Sequence, residues 1–102
     1  MTKHLVLWQV NGNLWPKSAE EGLKLQLGML QMVKEDIAKG VHKDWGMSVN
    51  GAMGYTITEL SEKEIFANIM RFQPYIQFEI HPIISADELG NILQAAMETL
   101  KK

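Results

Sequence analysis

The chain has no cysteine, which excludes disulfide staples, thiolate zinc sites and Cys-x-x-Cys redox chemistry and fits a reducing compartment. Arginine is almost as scarce. Arg71 is the one arginine among ten basic residues, set against twelve acidic ones, for a net charge of −2. A nucleic-acid surface calls for a basic stripe, so neither DNA nor RNA is an expected partner. No apolar run approaches the roughly 18 residues a membrane-spanning helix needs, and Met1–Asn11 is too short and too soon interrupted for a secretory signal. No membrane is expected either, and the composition reads as that of a soluble cytoplasmic protein. What is present is an apolar fraction of 46% over 102 residues, enough for one core. One domain spanning residues 1–102 is expected.

Three Ser-x-x-Glu boxes divide the chain: Ser18 with Glu21, Ser61 with Glu64 and Ser85 with Glu88. In such a box the serine oxygen accepts from a free N–H one turn on, and the glutamate reaches back to the serine N–H. Each precedes a run of helical period. The first predicts a helix of about 20 residues with Leu23, Leu27, Leu30, Val33 and Ile37 on one stripe and Leu25, Met29 and Met32 on a second, stopped at Gly40. The second carries Ile65, Phe66, Ile69, Met70 and Phe72 and is stopped by Pro74. The third opens a C-terminal helix with Leu89, Ile92, Leu93, Ala96, Met97 and Leu100.

Between the helices lie strand patterns. Leu5–Val10 is apolar on both alternating faces, as a central strand is. Trp45–Val49 and Ala52–Glu59 flank Asn50-Gly51, a hairpin signal. A loop of those two residues pairs Val49 with Ala52, Met47 with Gly54 and Trp45 with Thr56. On the other face it sets Gly46 across from Tyr55, with room for a ring over the backbone. Tyr75–Ile84 alternates strictly, with Ile76, Phe78 and Ile80 to one side and Gln77, Glu79 and His81 to the other, and Pro82 marks an edge. The order β-α-β-β-α-β-α is that of the ferredoxin-like α+β plait with an added helix, and right-handed crossovers place the strands 4-1-3-2.

Two helices cover one face of such a sheet. The other face is too apolar to stay wet, so a homodimer through the helix-free face is expected; the alternative is that the C-terminal helix folds over it. The strings Lys43-Asp-Trp-Gly-Met47, Gly54-Tyr-Thr-Ile-Thr-Glu59 and Pro74 through Glu88 resemble a family of small proteins placed with the dimeric α+β-barrel superfamily, similar in fold to muconolactone isomerase and the antibiotic-biosynthesis monooxygenases. The resemblance rests on glycines, a tyrosine, prolines and a cap. It implies a fold and a dimer, with cofactor-free chemistry on a small carbonyl or aromatic compound as the analogous activity. It carries over no catalytic residue.

Candidate chemistry is sparse. Glu79 and His81, two apart on one strand, share a face about 7 Å apart and could form an acid–base pair, with the Tyr55 hydroxyl as a third proton carrier. Their bland reading is an edge strand meeting water or a partner. Trp8, Trp45 and Tyr55 are candidates to line an apolar ligand pocket between sheet and helices, or else are packing residues. His42 belongs with them as a ligand-binding candidate, although His42-Lys43-Asp44 also reads as a solvated strand end. His4, in the expected strand order, falls near His81, and with Glu79 they offer two imidazoles and a carboxylate. No close-spaced ligand motif backs that grouping, so neither metal nor cofactor is expected. Gly54-Tyr55-Thr56-Ile57 lacks the preceding basic residue and second aromatic of an RNA-recognition strand. Two functions remain open: a pocket that binds or converts a small apolar, aromatic or carbonyl compound, and a non-catalytic dimeric scaffold or ligand-sensing module.

Overall fold

The computed structural model describes residues 3–101. Strand β1 (Lys3–Val10) leads through a capped turn to α1 (Ala19–Ala38), then to the hairpin β2 (His42–Met47) and β3 (Met53–Thr58). Helix α2 (Glu62–Ile69) and a 3-10 turn (Met70–Phe72) precede β4 (Ile76–Ile83) and α3 (Ala86–Lys101). The strands form one antiparallel sheet in the order β2-β3-β1-β4, which is the expected order read from the opposite edge. The architecture is α+β. The proline-bearing β4 lies at an edge, as its missing N–H requires.

The three boxes start the three helices. At Ser61 and Ser85 both halves are closed, each serine oxygen accepting from the glutamate N–H and each glutamate from the serine N–H. At Ser18 only the serine half is made. The serine N–H donors first, and the adjoining serine hydroxyls after them, hold the Glu64 and Glu88 carboxyls below the usual carboxylate range.

Pairing within the hairpin follows the expected register at Trp45–Thr56, Gly46–Tyr55 and Met47–Gly54. The turn does not. The Gly51 N–H donates to the Ser48 carbonyl and the Ser48 N–H to the Met53 carbonyl, so the strands stop at Met47 and resume at Met53. Ser48 and Asn50 side chains join the same loop, Ser48 Oγ lying 2.6 Å from Asn50 Oδ1. These local bonds outcompete a two-residue turn, and Val49 is left fully exposed rather than paired with Ala52. At the other end of β2 a bulge intervenes: His42 faces Thr58, Asp44 faces Ile57, and Lys43 is the extra residue.

The core is thin. Val6, Ile65 and Ile69 form one buried group, and Val33, Phe72 and Ile76 a second joined by Trp8, Trp45, Met29 and Met32. Helix α1 presents the boundary between its two apolar stripes to the core. Its inward side is Gly22, Met29, Met32, Val33 and Asp36, whereas Leu23, Leu27 and Ile37 of the first stripe are exposed. Val33 of the first stripe and Met29 and Met32 of the second share the inward side with Asp36, whose contacts are described below. The opposite face of the sheet carries Leu5, Leu7, Met53, Tyr55 and Ile57, and among the described residues no helix covers it. Helix α3 has no buried residue, so it is not folded over that face.

Candidate functional site

A cavity of about 240 Å³ separates the helices from the sheet. Its wall on the sheet side is built by residues whose alternation points them toward the helices: Val6, Trp8 and Val10 from β1, Trp45 and Met47 from β2, Thr56 and Thr58 from β3, Ile76 and Phe78 from β4. Helix α1 adds Met29, Leu30 and Val33, and Phe72 closes one side. Trp8 and Trp45 stack within it, ring centres 5.7 Å apart and planes 21° from parallel. Gly54 makes this stack possible, because a Cβ there would collide with the Trp8 ring and the Gly46 carbonyl oxygen. A shallower depression shares Val10, Trp15, Gln26 and Gly51 with the cavity and adjoins it beside the hairpin loop.

At the other end the lining turns polar, with His42, Thr58 and Asn68. The bulge at Lys43 brings His42 onto the same face as Trp45, although three positions separate them in sequence. Thr56 Oγ1 donates to the Asp44 carbonyl oxygen at 2.9 Å, which uses its one proton. The 2.7 Å contact between Thr56 Oγ1 and His42 Nδ1 is then a bond donated by the imidazole, and Nε2 carries the lone pair. That Nε2 is 3.8 Å from Asp36 Oδ2, beyond hydrogen-bond reach. Burial pushes the His42 pKa down, with Asp36 pulling it up and Arg71 reinforcing the fall, so the ring is neutral at pH 7.

Asp36 is itself buried and held by other groups. The Arg71 guanidinium donates to it, Asn68 Nδ2 donates at 3.1 Å, and Arg71 Nε is tied to the Asn68 carbonyl oxygen. The Arg71 side chain also lies 5.3 Å from the Phe72 ring centre. Sequence reasoning missed Asp36, Asn68, Arg71 and Thr56. One signal was available: Asp36 falls at helical spacing from Met29, Met32 and Val33, an acid on an otherwise apolar stripe, in a chain with a single arginine.

Of the four residues expected to line a pocket, Trp8, Trp45 and His42 do so. Tyr55 does not. It faces the helix-free side with Leu7, its ring over Gly46, where a Cβ would come within 2.7 Å, and its hydroxyl donates to Asp44 Oδ2 at 2.9 Å. That hydrogen bond raises the Tyr55 pKa, so the phenol keeps its proton more tightly than usual. Glu79 and His81 also lie on the helix-free side, beside Leu7 and Leu5. They meet each other at 3.4 Å with largely exposed side chains. The three expected proton carriers thus share one face, and the sheet separates them from the cavity. His4 is not grouped with His81: it is buried on the helix side of β1, opposite Pro82, with Glu62 at 3.9 Å. Among the described residues no three His, Asp or Glu side chains are placed to hold a metal ion.

Compared with family models and with curated proteins, the chain matches none. Among the described residues no helix is long and apolar enough to cross a membrane.

Proposed function

We propose that the cavity between sheet and helices is a binding site for a small, uncharged, planar molecule that offers a hydrogen-bond donor to His42. The observation that carries this reading is the pairing of an apolar, tryptophan-walled cavity with one neutral imidazole whose Nε2 lone pair is unspent. An apolar cavity of about 150 Å³ already holds benzene, so 240 Å³ admits one or two rings. The Asp36 carboxylate beside His42 disfavours an anion, and the apolar walls disfavour a cation.

On this reading the protein is a cytoplasmic, ferredoxin-like homodimer of the dimeric α+β-barrel type, with two copies pairing through the helix-free sheet face. What supports the pairing is the row of Leu5, Leu7, Tyr55 and Ile57 across adjacent strands, together with Met53, about half exposed. The pocket reading assigns no reaction.

Thermal shift and tryptophan fluorescence with phenol, indole and their O- and N-methylated counterparts test the pocket. Phenol and indole should raise the melting temperature and perturb Trp8 and Trp45 emission, since a ligand at 100 times its Kd adds about 2.7 kcal/mol. The methylated forms should bind more weakly, and His42→Phe should abolish that difference. A panel without effect at millimolar concentration, or shifts indifferent to both Trp45→Ala and His42→Phe, would remove the reading.

A further inference from the structure

Two helical stripes are left without partners by the chain's own packing. Along α3, Leu89, Leu93, Ala96 and Leu100 recur at intervals of four, three and four, with Ile92 and Met97 beside them. On the outer side of α1, Leu23, Leu27 and Ile37 keep the same seven-residue rhythm, with Lys34 at one remaining place and, at the other, Leu30, which is shared with the cavity wall. This is the narrow seam of helices that pair by interlocking side chains, not the broad arc of a helix lying on a sheet. Both seams are open to solvent: Leu93 is 56% and Leu100 81% exposed on α3, Leu23 60% and Leu27 65% on α1. A helix of 16 residues with no buried residue is marginal in water.

Helix α3 does not pack on its own α1, since none of its residues is buried. Only Ile84 and Ser85 separate it from β4, a reach of about 7 Å. β4, from which it departs, is an edge strand. The molecule is accordingly drawn out to 66 Å on its long axis, with a radius of gyration of 17.7 Å against about 13 Å for a compact chain of this length.

We propose that α3 is an exchanged arm. Its seam of Leu89, Leu93 and Leu100 docks on the outer seam of α1 in a second copy of this chain, each copy giving one arm and receiving one. The exposed parts of the apolar residues on the two seams amount to about five whole side chains, so one contact buries about 600 Å² and the reciprocal pair about 1,200 Å². That reaches the lower bound of a stable specific interface without any contribution from the sheet faces. The closed two-fold arrangement satisfies all four seams at once. Pairing α3 with α3 would leave both α1 seams open.

The full chain tests this by light scattering across a concentration series. The wild type should run at twice 11.6 kDa. Leu93→Glu and Leu27→Glu should each raise the dimer Kd by about 100-fold; both side chains are exposed within the subunit, so unchanged circular dichroism is expected. Joining Leu93→Glu with Leu27→Lys in one chain should restore much of the dimer, a rescue that misfolding could not imitate. Because the chain has no cysteine, a Leu27→Cys chain mixed with a Leu93→Cys chain should form a disulfide only between the two. A dimer unmoved by either glutamate overturns the arm while leaving sheet-face pairing intact. A wild type that stays at 11.6 kDa overturns both. Disulfides between two Leu93→Cys chains in preference to the mixed pair would overturn α1 as the seat.

Discussion

Replacing Arg71 by alanine would strip Asp36 of its cationic partner. Asp36 is 5% exposed, and Asn68 Nδ2 would be its remaining hydrogen-bond donor, beside a neutral His42 3.8 Å away. Breaking a buried ion pair by removing one member costs about 3–5 kcal/mol. The Arg71 side chain is 39% exposed, and solvent screening discounts its share, which brings the expected loss to about 2–3 kcal/mol at pH 8. For a domain of this size that is a fall in melting temperature of roughly 10–20 °C. The loss should also depend on pH in a specific direction. Arg71 lowers the His42 pKa and Asp36 raises it, so without Arg71 the imidazole protonates more readily and takes over as the counter-charge. Arg71→Ala should therefore be least damaging near pH 6 and most damaging at pH 8, relative to wild type at each pH. Urea denaturation at both values, with unchanged m, measures this. A loss under 0.5 kcal/mol at pH 8, or one that grows as pH falls, would refute the account of Asp36 as a buried charge held by Arg71.

Other outcomes follow from the same geometry. Gly54→Ala should cost about 2–3 kcal/mol by forcing Trp8 off Trp45, visible as a change in tryptophan near-ultraviolet dichroism; Gly28→Ala, in mid-helix with nothing within 4 Å, should instead add about 0.5–1 kcal/mol. His42 has a folded pKa below its unfolded 6.5, so its neutral form contributes stability fully above that value, and the contribution falls as pH drops from 6.5 through the folded pKa. His42→Gln should flatten that part of the stability–pH curve, and a slope equal to wild type would exclude His42 as its source.

Much of the scaffold was legible because local and alternating patterns agreed. The boxes at Ser61 and Ser85 close as written, the alternation of β4 sends Ile76 and Phe78 inward, and Pro82 falls on an edge strand. What escaped was decided by partners distant in sequence. α1 offers two apolar stripes, and periodicity alone does not say that their boundary faces the core. Asp36, on that inward side, meets Arg71, 35 positions on. Tyr55 was assigned to the pocket and faces away from it, though its pairing with Gly46 was read correctly. The open question there was which face of β3 the helices cover. The hairpin turn was misjudged because Ser48 and Asn50 make their own side-chain bonds, an option that the Asn-Gly signal does not reveal.

The extra residue in β2 works as a phase shifter. Deleting Lys43 would join His42 directly to Asp44 and keep the imidazole opposite Thr58 on the cavity face. Drawing Lys43 into the ladder in place of the bulge would instead turn the imidazole to the far side of the sheet, while Trp45, Met47 and their cross-strand neighbours stayed where they are. Whether Lys43 bulges out or joins the ladder therefore sets the polarity of the chamber's inner end without disturbing its walls.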